Sequence, residues 1–463
     1  MHSFRAILVV IMMMGLLSIV WNIAPAHGQG ASLSDFKRAA IEHSRFQACF
    51  KAKLQSGYCR FGDGDTNLVR SFSGEQLEER ISLRLSLLSD TGYKTAALVY
   101  FEAPDDSLGI FLFDDSGLRA SSIRSFADIG GTVSGMRHTL GINTRAAPQR
   151  AGGPVASGEP LSEAQYRIPF EDSNLLLPAA IGEQINTQGY NRILILPSTW
   201  TSAVPFPALK LPDGRHLVDA VSTVVLPDLD ALILPLGIEE GLLNAASEGL
   251  TFNGSEAVQG TSLVVGDPHY ASYRGDQLAK LPGAHLEANT VAEMLGAENL
   301  LMGKAATHGA VSDALAGFEY QGGIIYIASH GISSDENPMD ESLIALSQRH
   351  FPASEIRDLE FRLNHPLVVL SACQTGLGKQ FGGGSFGLLR AWYHAGAGQV
   401  IGSLWNVSDT GTLGLMVEFS RTLTNGEDRP EEALRQAMLI VRKKHTEDPA
   451  IWASFYVFGN PAR

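Results

Sequence analysis

Gly323-Ile-Ile-Tyr-Ile-Ala-Ser-His330-Gly331 and Leu367-Val-Val-Leu-Ser-Ala-Cys373-Gln-Thr-Gly376 are the two stretches on which the reading of this chain turns. Each is a short apolar run without polar alternation, and each leads directly to a residue able to do chemistry. Such runs, separated by helical segments, signal strands of a parallel sheet covered on both faces. In open sheets of that kind, sites form beyond the carboxyl ends of the strands. His330 and Cys373 each follow such an end, on two successive long strands, so the topology allows them to meet.

The same alternation of strand and helix extends in both directions from about residue 175. Arg192–Leu196, Thr261–Val265, Gln399–Leu404 and Phe455–Phe458 read as further strands. Leu286–Leu295, Phe386–His394, Asp409–Leu423 and Pro430–Lys443 read as helices. Upstream, residues 31–61 look helical and charged, and Ser73 with Gln76 forms a capping box. The helix it opens carries Leu77, Ile81, Leu85 and Leu88 on one face. Thr95–Glu102 and Ser107–Phe113 read as a hairpin-like pair joined by Pro104-Asp105-Asp106. Residues 145–160 are rich in Ala, Gly and Pro and read as a linker or loop.

The 463 residues allow two to four compact units, and an apolar fraction of 44% is enough for large cores. The formal charge of −14 is scattered, with no Lys/Arg stripe to follow a phosphate backbone, so a nucleic-acid partner is not expected. Residues 1–28 have the form of a secretory signal: Arg5, an apolar run from Ala6 to Ile23, then Ala24-Pro25-Ala26. Retention as an anchor is the competing reading. Beyond it no run reaches the roughly 18 apolar residues of a membrane span. Export to a periplasmic or extracellular compartment is therefore expected, with no stable span after signal removal. In an oxidising compartment Cys49 and Cys59, ten apart, are candidates for a disulfide, and Cys373 is the odd thiol.

Taken singly, Cys373 reads equally well as a small buried hydrophobe, and His330 as a hydrogen-bonded residue at a strand end. Together at neighbouring strand ends they read as nucleophile and base. An imidazole favours the thiolate and returns the proton to a leaving amine. Gly331 lets its backbone N–H approach a carbonyl oxygen unobstructed. The Cys373 N–H is the second natural oxyanion donor.

The motif Ile325-Tyr-Ile-Ala-Ser-His330-Gly331 resembles the histidine motif of the CHAT family, caspase-like peptidases of clan CD. Leu370-Ser-Ala-Cys373-Gln-Thr-Gly-Leu-Gly378 is similar to its cysteine motif. The likeness continues through Gly387-Leu-Leu-Arg390, Ala395-Gly-Ala397 and Val400-Ile-Gly-Ser-Leu-Trp405-Asn-Val-Ser-Asp409. It extends upstream to Pro205-Phe-Pro-Ala-Leu209, Asp213-Gly-Arg215 and Val265-Gly-Asp-Pro268. The resemblance implies an α/β caspase-hemoglobinase fold with a mostly parallel sheet. With the signal at 1–28 and a helical region at 29–90, the resemblance divides the rest into an N-terminal part at 91–160 and a peptidase domain at 161–463. It implies peptide-bond hydrolysis by His330 as base and Cys373 as nucleophile, with Gly331 and Cys373 as oxyanion donors and no metal or organic cofactor. A protein or peptide substrate is the expected partner; cleavage, calcium or an accessory protein are open candidates for a trigger. A catalytically silent interaction module, or an acyl transferase using the same dyad, are the competing readings.

Several relatives of the clan prefer Arg or Lys before the scissile bond, which makes Asp267 and Asp409 candidate substrate carboxylates. Asp409 reads equally as a helix N-cap and Asp267 as a turn residue. Gly383-Gly-Ser385-Phe-Gly387 matches the G-x-S-x-G pattern, but a polar glycine loop precedes it where a nucleophile elbow needs a strand. His308, His350, His365, His394 and His445 lack metal-ligand spacing, and Cys373 has no C-x-x-C partner.

Overall fold

The computed structural model describes residues 30–56, 67–89, 92–103, 107–140, 173–233, 261–319, 322–334, 337–360, 362–372, 375, 379–381, 384–405, 409–444 and 447–461. The expected signal at 1–28 and linker at 145–160 lie outside them, as do Cys59 and Cys373. Cys49 lies in a helix whose side chains from residue 45 onward are outside the description.

The apolar runs become one mixed sheet of eleven strands in the order β3-β2-β1-β4-β5-β16-β15-β12-β8-β6-β7. The N-terminal strands are β1 (Thr95–Ala103), β2 (Ser107–Asp114), β3 (Gly117–Ser125), β4 (Arg192–Leu196) and β5 (Ser222–Val225). The C-terminal ones are β6 (Thr261–Pro268), β7 (Asn299–Gly303), β8 (Gly323–Ala328), β12 (Leu367–Ser371), β15 (Gln399–Ser403) and β16 (Phe455–Gly459). Strands β7, β6, β8, β12 and β15 form a parallel block. β16 runs antiparallel to β15, and β5, β4 and β1 run parallel to β16. β16 thus covers the edge that the parallel block would otherwise expose, and the N-terminal strands extend the sheet beyond β16. β1, β2 and β3 are in this respect part of the same sheet as the strands downstream.

The helices named here are α1 (Leu33–Ser56), α2 (Gly74–Leu88), α3 (Pro282–Leu295), α4 (Leu388–His394), α5 (Asp409–Thr424) and α6 (Pro430–Lys444). The Ser73 box caps α2 as expected: Gln76 N–H donates to Ser73 Oγ at 3.2 Å, and Ser73 N–H to Gln76 Oε1 at 2.7 Å. α3 packs on β6 and β8, and α5 packs on α3. At Gly266 a Cβ would strike Ala288 of α3 and the Met302 sulfur; at Gly402 it would strike Leu389 of α4 and Thr375. The strand register puts these two glycines on opposite sheet faces, so helices cover both sides, which is why β8 and β12 are apolar without alternation. Gly323 is needed for a second reason: its φ of 152° and the adjoining Thr261 carbonyl leave no room for a side chain.

Buried charge ties the N-terminal region to the rest. The Arg192 Nη1–Glu431 Oε1 pair is 2.7 Å long, with side chains only 1% and 2% exposed. Arg192 Nη2 also donates to the Leu88 carbonyl at 2.9 Å and Thr95 Oγ1 at 3.1 Å. Beside it, the Arg429 guanidinium lies 3.9 Å from the Tyr93 ring centroid. The end of α2 and the starts of α6, β1 and β4 therefore share one polar junction.

His43 of α1 is fully enclosed, and burial, followed by the charge of Arg390, pulls its pKa from 6.5 to about 4. The unfolded chain takes up this proton below about pH 6.5, whereas the folded chain resists it until about pH 4. The stability contribution is therefore whole above pH 6.5 and declines as pH falls toward 4, by about 3 kcal/mol. The urea midpoint of the wild type should fall across that window more steeply than that of His43→Gln. Parallel curves would contradict the assignment.

Candidate active site

β8 and β12 are paired in register, with Ala328 opposite Ser371, and the Ser329 N–H donates to the Ser371 carbonyl at 3.3 Å. His330 and Cys373 each come two residues after that last pair in sequence. The described residues on either side of Cys373 are anchored to the end of β15. The Ala372 carbonyl accepts from Ser403 Oγ at 2.7 Å, and Thr375 Oγ1 accepts from the Ser403 N–H at 3.0 Å.

His330 is partly buried and held from several sides. Its carbonyl accepts from the Ala345 N–H at 2.9 Å, and the preceding Ser329 Oγ donates to the Ala345 carbonyl at 2.6 Å. Its ring meets Tyr270 edge-on, with centroids 4.7 Å apart. Its Nε2 lies 2.8 Å from the Ala279 carbonyl. A carbonyl only accepts, so Nε2 carries the hydrogen and Nδ1 is the nitrogen with the lone pair. The chain thereby selects one tautomer of the candidate base.

After His330 the backbone enters a small antiparallel sheet of β9 (Gly331–Ile332), β10 (Leu343–Ile344) and β11 (Phe351–Pro352). Gly331 stands opposite Ile344. Because the neighbouring pair His330/Ala345 is hydrogen-bonded, the alternation of an antiparallel ladder makes Gly331/Ile344 a non-bonded pair. The Gly331 N–H then points away from β10, as an oxyanion donor requires.

Asp267 sits at the end of β6 with a left-handed φ of 37°. Its Oδ1 accepts from the Leu281 N–H at 3.1 Å, and Oδ2 is 3.7 Å from His285 Nδ1. Asp409 is the first residue of α5, and its side chain is outside the description. Ser385 lies in β14 (Gly384–Phe386), paired antiparallel with β13 (Lys379–Phe381) in place of the expected open loop. That hairpin is not the strand-to-helix elbow a serine nucleophile uses. Among the described residues no group of three or more His, Cys, Asp or Glu is placed to hold a metal ion.

Several participants escape a reading of the sequence. The Ala279 carbonyl has no side-chain signature, and Tyr270 looks like any aromatic in a loop. Tyr326 on β8 donates to Glu287 Oε1 on α3 at 2.6 Å, both buried. Burial, then the charge of Glu287, raises the Tyr326 phenol well above its ordinary range, so it stays a donor. A signal for Glu287 existed: it falls on the apolar helical spacing of Gly283, Ala284, Ala288 and Val291.

A mostly parallel sheet with helices on both faces, and a candidate base at the end of a central strand, defines an α/β fold of the caspase-like peptidase type. The model of the CHAT domain matches residues 173–460, and the chain belongs to that family. Among curated proteins it is 25% identical over 301 residues to human tetratricopeptide repeat protein 28, covering 56% of this chain and 12% of that protein's length. Among solved structures it resembles the separase–securin complex of Saccharomyces cerevisiae. That match covers 93% of this chain and 34% of the other at 10% identity, with a TM-score of 0.54. A further match is the Arg-specific cysteine proteinase gingipain R, at 13% identity over 63% of this chain and 70% of that one, with a TM-score of 0.40. At these identities the structural likeness speaks to fold alone.

Proposed function

We propose that the chain is a cysteine endopeptidase that cleaves a protein substrate through a thioacyl-enzyme. His330 Nδ1 takes the thiol proton, the Cys373 sulfur attacks the scissile carbonyl, and the proton passes to the leaving amine. The N–H groups of Gly331 and Cys373 receive the developing oxyanion. Water then repeats the sequence and releases the acid. The observation that carries this reading is the held tautomer of His330, at the end of a strand in register with the one leading to Cys373. No metal or organic cofactor has a step in it.

The reading includes a basic residue before the scissile bond, received by Asp409 or Asp267. It also includes export, from the form of residues 1–28, and a second protein that regulates the enzyme. The separase match is to a complex with securin, which supports a protein partner. A specific observation favours the competing module: the curated relative is named for its repeats, not for an activity. Paired peptides differing only in Arg or Ala before the cleavage site test the reading. Cleavage of the Arg peptide, lost in Cys373→Ala, is expected. No cleavage of either supports the module, and a labelled amine trapped in the product supports an acyl transferase.

A further inference from the structure

We infer that Asp267 is a positioning residue for His330, acting through the backbone of the segment between β6 and α3. The inference rests on the reading of His330 as the base. Asp267 Oδ1 accepts the Leu281 N–H at 3.1 Å, and two residues earlier the Ala279 carbonyl lies 2.8 Å from His330 Nε2. The carboxylate fixes the chain at 281, the chain fixes the carbonyl at 279, and the carbonyl fixes the imidazole.

Three observations make this a built arrangement. The β6–β7 ladder slips between Gly266 and Pro268, so Asp267 is the extra residue of a bulge, a device that re-aims a side chain. Its φ of 37° is left-handed, a conformation that Asp and Asn tolerate better than most residues. Its side chain is only 15% exposed, which suits an internal brace better than a cleft carboxylate. The rest of the segment is clamped at the same time. Gln277 Nε2 donates to the Tyr270 carbonyl at 3.0 Å, and Leu278 and Leu281 pack on a small core of Tyr270, Leu343 and Ala345. Tyr270 itself lies on the His330 ring. These contacts of the loop bear on one imidazole, and Asp409 is left as the carboxylate for a basic substrate residue.

The test separates three features of the side chain. Asp267→Gly keeps the left-handed backbone and removes the acceptor; Asp267→Asn keeps both and removes the charge. In spectra of protein labelled with 15N-histidine, the His330 signal is assigned by its loss in His330→Ala. Wild type and Asp267→Asn are expected to show the Nε2–H tautomer, and Asp267→Gly an average of the two. With Arg and Ala peptides, Asp267→Gly should lose about 10- to 100-fold in kcat on both, with KM little changed, and Asp267→Asn should recover most of it. An unchanged tautomer in Asp267→Gly would overturn the inference. So would a loss confined to the Arg peptide and seen equally in Asp267→Asn, which would make the carboxylate a substrate reader. The spectra need no turnover, so an inactive wild type would count against the peptidase reading while the tautomer still decides this one.

Discussion

Replacing His330 by alanine is expected to lower kcat/KM on a cleavable peptide by about 10⁴-fold, equivalent to roughly 5.5 kcal/mol of transition-state stabilisation. The ring has two tasks in the proposed mechanism: taking the proton from the thiol and delivering it to the amine. Alanine removes both and empties the space between Tyr270 and the Ala279 carbonyl. His330→Gln restores polar contact but no base, so it should recover little. Cys373→Ala should fall to background, and the double variant should fall no further, because nucleophile and base act as a unit. A loss of less than about tenfold in His330→Ala would remove the histidine from the mechanism.

Glu431→Ala is expected to cost about 3 to 5 kcal/mol of stability, a fall in Tm of roughly 5 to 15 °C. The expense comes from Arg192, which stays buried at 1% exposure with its partner charge gone. The Thr95 hydroxyl and the Leu88 carbonyl remain to it, but neither neutralises a guanidinium. Replacing both partners by apolar residues, Arg192→Met with Glu431→Leu, should restore most of the loss, since the pair itself yields little over an apolar filling. A single variant that melts within about 1 °C of wild type would show that water reaches the junction. This junction joins the N-terminal strands to α6, so its failure should loosen the cover over β16 before it touches β8 or β12.

The parts of the fold that sequence reveals are those where one local rule acts alone. β8 and β12 are buried on both faces and read as apolar runs; the Ser73 box declares the start of α2. Elements under two rules are harder. α3 starts at Pro282, four residues before the expected Leu286, because Pro282-Gly283 looks like a break although proline suits the first helical turn. β3, with Arg119, Ser121, Ser122 and Arg124, lies at the sheet edge and carries polar residues that disguise it. β7 is a five-residue edge strand whose apolar run, Leu300-Leu301-Met302, is too short to tell strand from helix by periodicity.

The candidate site divides the same way. His330 and Gly331 are legible because side-chain chemistry, or its absence, at a strand end is visible in one dimension. Ala279 is not, because its contribution is a backbone carbonyl delivered by a fold 51 residues away in sequence. Asp267 was visible as a carboxylate after a strand, but its direction depends on a bulge that no spacing encodes. Tyr326 and Glu287 brace β8 against α3 from beneath, and their meeting depends on the tertiary approach that Gly266 permits.

The most direct measurement is covalent labelling of the reduced protein with an Arg-terminated peptidyl acyloxymethyl ketone, located by peptide mass mapping. Wild type, Cys373→Ala and His330→Ala are compared. The expected result is a single adduct on Cys373 that His330→Ala suppresses. Adduct formation that ignores His330, or none with any residue before the reactive group, would contradict a His330–Cys373 peptidase.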